Sequence, residues 1–367
     1  MNPPDRIPAG IYNAIDYERL APRAMDAGRH AYVAGGCGWD STVAANRSTF
    51  GRWHIVPRLL RDMRAGHARL ALGGLDLPHP LLLAPVAHQR LAHPQAEVAT
   101  ARAAAATGTL MVASTLSSCT LEDIAAACGP ARWFQLYLQP RREDSLALMQ
   151  RAEAAGYRAI VLTLDASIQL ASRSALAAGF AMPPDCTPAN LAGLAPPQAP
   201  ALAEGDSRIF QGAMRHAPTW DDLRWLLART RLPVWVKGVL HPQDAVALKD
   251  AGCAGLIVSN HGGRSLDGAP ASLAQLPAVR AAVGGGYPLL MDGGIRSGAD
   301  AFKTLALGAN AVLVGRLQMY ALACAGALGV AHMLQLLTEE LHATMAQAGC
   351  AQLCDITPDT LTPALPC

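Results

Sequence analysis

A closed parallel (β/α)8 barrel of the TIM class is the fold this sequence predicts, on three observations. From residue 80 onward, eight short apolar runs recur: PLLLAP, TLMVAS, WFQLYL, AIVLTLD, VWVKGV, GLIVSN, PLLMDGG and AVLVGR. Between them lie stretches with helical spacing, such as AEVATARAAAATG, LEDIAAACG, REDSLALMQRAEAAG, PQDAVALKDAG and GADAFKTLALG, each ending in the glycine favoured just past a helix. The runs are apolar on both faces, as strands covered by crossover helices must be, and eight units in roughly 270 residues suit a closed barrel better than an open sheet. A single domain spanning 1–367, with its barrel over about 80–345, is the simplest organisation.

The flanking segments read differently. The first 75 residues look like a helical preface ending in RWHIVPRLL, and the tail from about Gly326 reads as one long helix with a proline-bearing end. Residues 170–215, long and proline-containing, interrupt the beat between strand 4 and its helix. Insertions of that length serve as lids or binding loops, so this one should cover the active-site face. The run GGCG at 35–38 precedes the first barrel strand, the wrong place for a dinucleotide-binding turn.

Composition excludes several function classes. With 51% hydrophobic and 16% charged residues the 367-residue chain can bury a large core, and a net charge of +2 without basic clusters offers no footprint for nucleic acid. Nine cysteines form no CxxC pair, which suits free thiols in a reducing compartment. The first 25 residues carry no signal or transit character and charged or helix-breaking residues punctuate every apolar run, so a cytoplasmic protein without a membrane span is expected. No histidine has metal-ligand company, and no metal is expected.

In this barrel class the chemistry collects at the C-terminal ends of the strands. Those ends carry Pro85, Val86 and Ala87; Ser114; Gln135 and Tyr137; Thr163 and Asp165; Lys237; Ser259, His261 and Arg264; Asp292, Gly293 and Gly294; and Gly315 and Arg316. His261 in SNHGGRSLDG can move a proton near neutral pH, and Arg264 can clamp an anion with a planar fork. The segments DGGIRSGAD and VGR, with Arg296 and Arg316 and a helix start, have the form of a phosphate cradle. Lys237 inside an apolar strand is costly unless paired, and a bound electron-rich heterocycle would give it a purpose.

These segments, with YVAGG, APVAHQRLAHPQAE, FQLYL, LTLDA and VKGV, occur in one order over most of residues 30–345 and resemble the FMN-dependent 2-hydroxy acid oxidases and dehydrogenases. That family includes glycolate, lactate and mandelate-oxidising enzymes; TPANLAG and ITPDTL resemble 4-hydroxymandelate oxidases. The resemblance implies FMN as cofactor, His261 as the base receiving a substrate proton as flavin N5 takes two electrons, and Asp165 stabilising the imidazolium. It implies Lys237 beside the flavin N1 and O2 edge, Arg264 on the substrate carboxylate, and Tyr137 and Tyr32 hydrogen-bonding the substrate. Pro85, Val86, Ala87, Ser114, Gln135, Thr163 and Ser259 would meet the ring; Asp292, Gly293, Gly294, Arg296, Gly315 and Arg316 would hold ribityl and phosphate. Oxygen or another electron acceptor, and a homotetramer or octamer, are the implied partners.

One departure bears on substrate. Family members read something like DxPxxGxRxxD after strand 4, with an arginine seven residues past the aspartate. This chain reads DASIQLASRSALAAGF, with Ser172 at that place and Arg173 one residue late. On a helix that offset swings a side chain by about 100°. Arg173 is a candidate second clamp, and Leu116 stands where an aromatic residue is common. A larger or aromatic (S)-2-hydroxy acid is the expected substrate, with other FMN-barrel chemistry, such as isomerisation or decarboxylating monooxygenation, or an altered member acting on something other than a simple 2-hydroxy acid, as the alternatives.

Overall fold

The computed structural model of the chain describes residues 6–194 and 201–364. All eight apolar runs form strands, numbered here β1 (Leu81–Leu83), β2 (Met111–Ser114), β3 (Arg132–Leu136), β4 (Ile160–Thr163), β5 (Val234–Val239), β6 (Gly255–Val258), β7 (Leu289–Asp292) and β8 (Ala311–Val314). They close in sequence order into a parallel barrel, with β8 pairing back onto β1.

The side-chain alternation of a strand divides the core in two. Leu82, Val112, Trp133, Val161, Trp235, Ile257, Leu290 and Leu313 point inward and fill the barrel. Trp133 and Trp235 lie 4.7 Å apart there, and Gly255 leaves room for the second indole. Leu81, Leu83, Ile160, Leu162, Leu256, Leu289 and Val314 point outward against the helices. Burial of this apolar surface is the main force holding helices to the barrel, at about 25 cal/mol per Å².

The preface is helical only through Arg52, over Asp16–Ala24, Ala27–Ala34, Ser41–Ser48 and a 3-10 turn at Thr49–Arg52. Beyond it, Trp53–Ile55 pairs antiparallel with Leu361–Pro363, and a hairpin of Leu70–Leu72 with Leu75–Leu77 contributes Leu72 and Leu77 to the barrel's interior cluster. These three-residue strands carry too short a period-2 pattern to stand out from a loop. The C-terminal helix also differs from expectation, running from Arg316 to Ala348 with a break at Ala325 and Gly326, the latter at φ +57°. Helical spacing looks the same on both sides of that glycine, so the sequence hides the earlier start. This helix is long and apolar enough, by length and composition alone, to cross a membrane, and 61% of its most apolar window is buried inside the protein. It packs against Ala96–Thr107, whose alanines permit close approach.

The insertion after β4 contains a short helix, Arg173–Ala177, and tight turns at Ala189–Leu191, Arg208–Gly212 and Ala213–His216; part of it, 195–200, lies outside the described residues. GGCG is a connector whose Cys37 N–H donates to Gly263 O at 2.9 Å, joining the preface to the loop after β6.

Candidate active site

A cavity of about 550 Å³ opens at the C-terminal ends of the strands, a size typical of cofactor and substrate sites. Its floor and walls include Pro85, Val86, Ala87, Tyr137, Thr163, Lys237, His261, Arg264, Asp292, Gly293, Gly294, Arg296, Gly315 and Arg316, with Tyr32 from the preface. The 170–215 insertion reaches it with Leu191 and Ala213, and the residues that flank the insertion add Ser167, Gln169 and His216. Ser114, Gln135, Asp165 and Ser259 lie just behind that lining, bonded to or beside residues that form it.

His261 is the centre of the arrangement. Its Nδ1 lies 2.8 Å from Asp165 Oδ1, and its Nε2 lies 3.3 Å from the Tyr137 hydroxyl. A carboxylate can only accept, so Nδ1 carries the ring proton and Nε2 presents its lone pair to the cavity. The backbone at His261 is left-handed, at φ +57°, a conformation that costs of order 1 kcal/mol for a residue with a Cβ. His261 N–H donates to Ser259 Oγ at 3.0 Å, and Gly262 and Gly263 continue at φ +62° and +76°. The glycine-rich motif thus turns the chain so that the imidazole faces inward. Gly238 does comparable work for Asp165: at φ +104°, a Cβ there would meet Asp165 Cβ and Cγ at 2.5 Å. Burial pushes the Asp165 carboxyl up, but the charge of Lys237 and the imidazole contact outweigh it and hold it below the ordinary aspartate range.

Lys237, fully buried, is paired twice, donating to Ser259 Oγ at 2.9 Å and lying 3.3 Å from Asp292 Oδ2. Burial alone would discharge the amine; the Asp292 and Asp165 carboxylates raise its pKa instead. The phenol of Tyr137 is pushed up to about 12 by burial, so it enters the site as a hydrogen-bond donor.

Three arginines line the cavity as well. Arg316 donates to the carbonyls of Val33, Gly262 and Gly35, and Arg264 to those of Tyr32 and Gly35, gathering the C-terminal end of helix Ala27–Ala34. Burial, and then the charges of Arg264 and Arg296, pull Arg316 down to about 10, the signature of a site short of negative charge. Arg296 is held by Glu18 through two bonds of 2.6 and 3.0 Å. The cradle differs from expectation at one helix. Asp300 accepts from Arg296 N–H and Ser297 N–H, closing the N-terminus of Gly298–Ala306 with its own side chain. The start of helix Arg316–Ala348, at Gly315, carries no side-chain cap and lies on the cavity. That is the end whose dipole favours an anion.

These residues fit FMN. Gln135 Nε2, Thr163 Oγ1 and Asp292 Oδ1 are buried polar atoms with no protein partner, a costly state that ring and ribityl groups would relieve. Arg296 and Arg316, with the uncapped helix start at Gly315, offer the positive charge a phosphate needs.

Arg173 is not part of the arrangement. Ser172 caps the short helix that follows, its Oγ accepting from Ala175 N at 3.3 Å, and Arg173 begins that helix with its guanidinium 3.7 Å from the centroid of the Trp39 ring, on the exposed surface. The swing expected for a one-residue offset on a helix carries it off the cavity. His88 and Gln169 are among the lining residues that escaped sequence reasoning. His88, set aside for lack of metal company, lines the cavity from a left-handed position at φ +55°. Gln169 lines it too, and its Nε2 lies 3.4 Å from His261 Nε2. Buried Glu97, the last residue of APVAHQRLAHPQAE, accepts from the N–H groups of Gln89, Ser118 and Cys119, tying together the loops after β1 and β2.

Residues 21–363 match the FMN-dependent dehydrogenase family. The chain belongs to that family. An L-lactate oxidase of Alicycliphilus denitrificans is 79% identical over 99% of this chain and all of that protein. A 4-hydroxymandelate oxidase of Amycolatopsis orientalis is 44% identical over 91% of this chain and 94% of its own length. Among solved structures, a mandelate oxidase with benzoyl-formic acid superposes with a TM-score of 0.86, at 41% identity, covering 96% of this chain and 98% of that one. The protein is thus an FMN-dependent oxidoreductase, and the family's cofactor suits the unpartnered groups described above.

Proposed function

We propose that this FMN-dependent 2-hydroxy acid oxidoreductase converts a short (S)-2-hydroxy acid, L-lactate first, to its 2-oxo acid, with oxygen as electron acceptor. The observation that carries the reading is the chain Asp165, His261, Tyr137 at the wall of a cavity that also holds Arg264. Arg264 holds the carboxylate, His261 Nε2 receives the proton that leaves the substrate, and Asp165 stabilises the imidazolium so formed. Lys237 provides positive charge where negative charge would develop; FMN, held in the cavity, would supply the acceptor for the two electrons and the second hydrogen. The lactate preference draws on the relative that is 79% identical.

A second reading, a larger or aromatic acid, is favoured by Leu116 on the cavity wall, by the lack of a guanidinium on the cavity among the described residues of the loop after β4, and by the mandelate oxidase likeness. Anaerobic mixing of the flavin-loaded protein with L-lactate, glycolate and (S)-mandelate tests both. Fastest bleaching by L-lactate supports the first and by (S)-mandelate the second; a flavin reduced by none of them sinks the function. Oxygen uptake with peroxide release tests the acceptor. Assembly as a homotetramer or octamer belongs to the same proposal, and sedimentation would test it.

A further inference from the structure

We propose that Gln169 is a substrate-binding residue, its side-chain amide supplying the hydrogen bond to the substrate carboxylate that a second guanidinium would otherwise supply; this rests on the hydroxy-acid reading above. The amide reaches the one nitrogen on which the chemistry turns. Gln169 Nε2 lies 3.4 Å from His261 Nε2, and the Tyr137 hydroxyl lies 3.3 Å from the same atom. With Nδ1 committed to Asp165, Nε2 has a single lone pair, so both neighbours must offer it a hydrogen. That requirement also orients the amide, NH2 toward the ring.

Two donors cannot share one lone pair well, and both contacts are longer than the ordinary ~2.9 Å. The three groups instead surround a space suited to a hydroxyl beside a carboxylate. A substrate hydroxyl entering there donates to Nε2, and its carboxylate accepts from the released amide and from Arg264. All these groups line the same cavity.

The loop after β4 delivers no other candidate to that spot. Ser172 Oγ is engaged by Ala175 N and by Ser174 Oγ at 2.9 Å, and Arg173 is stacked on Trp39. Among the described residues of that loop, Gln169 is the one within hydrogen-bond distance of His261 Nε2, Asp165 being on Nδ1. A neutral amide differs from a guanidinium in one consequence: it donates to a carboxylate or to an ester carbonyl with less preference between them.

The test uses the flavin-loaded enzyme with whichever of L-lactate, glycolate and (S)-mandelate reduces the wild type fastest. Gln169→Leu should raise KM about tenfold while kcat stays within about threefold and flavin content is unchanged, the size expected for one lost hydrogen bond to a charge. The dissociation constant of the matching 2-oxo acid, read without turnover from the flavin absorbance, should rise by the same factor. Gln169→Glu should lose about a hundredfold in kcat/KM at neutral pH through repulsion of the carboxylate. Gln169→Arg should favour the acid over its methyl ester more strongly than the wild type does. Unchanged KM and 2-oxo acid affinity in Gln169→Leu, or a fall in flavin content alone, overturns the assignment while leaving the hydroxy-acid activity standing. A wild type reduced by none of the acids would instead remove the functional reading on which it rests.

Discussion

Lys237 Nζ sits 3.3 Å from Asp292 Oδ2 across the barrel interior, two opposite charges almost wholly removed from solvent. Such a pair barely stabilises relative to apolar residues, because desolvation cancels most of the attraction, yet breaking it is expensive. A lysine in a strand that otherwise reads VWV-GV is tolerated because Asp292 and Ser259 satisfy its ammonium.

Lys237→Met should therefore strand Asp292 and cost about 3 to 5 kcal/mol of stability. Thermal unfolding of the flavin-loaded protein checks this, and the double variant Lys237→Met with Asp292→Leu should recover much of the loss without recovering activity. A single variant as stable as the wild type would contradict the pairing.

Asp165→Asn keeps the shape of the site but removes the charge that stabilises the imidazolium at 2.8 Å. A decrease in kcat on the order of 10³ is expected, with flavin content retained. Stopped-flow flavin reduction is the direct measurement, since it isolates the step in which the proton moves.

Arg173→Ala should leave kcat/KM within about twofold, because the guanidinium lies over Trp39 and off the cavity. A tenfold rise in KM would place Arg173 on the substrate after all.

Acid should loosen the contact between preface and barrel. Burial pushes the Glu18 carboxyl up, but its bidentate contact with Arg296 and the charges of Arg47 and Arg316 outweigh that and hold it below the ordinary glutamate value. A depressed folded pKa stabilises above the unfolded value and is lost as pH falls through the folded one, so the contribution should fade below about pH 4. Comparing the melting temperatures of wild type and Glu18→Gln from about pH 7 to about pH 3 checks the sign: the two should converge as pH falls.

Much of this was legible because the relevant signals are local. Eight apolar runs specify eight buried strands, and the last polar residues of each specify what faces the C-terminal end, so His261, Asp165, Lys237, Tyr137 and Arg264 could be named in advance. The capping box of Ser297 and Asp300 was equally local, yet its effect, closing a helix end expected to greet a phosphate, depends on where that helix points. The strands Trp53–Ile55 and Leu361–Pro363 lie too far apart in sequence for their pairing to be visible.

The sequence by itself determined the barrel, its order and the chemical inventory of its mouth, because periodicity and strand polarity are properties of neighbouring residues. Tertiary structure alone decided which members of that inventory meet. It sent Arg173 outward onto Trp39, brought Gln169 to His261, and drew Arg264, Arg296 and Arg316 into one cluster, since each of those outcomes depends on the direction a backbone takes as it leaves a strand.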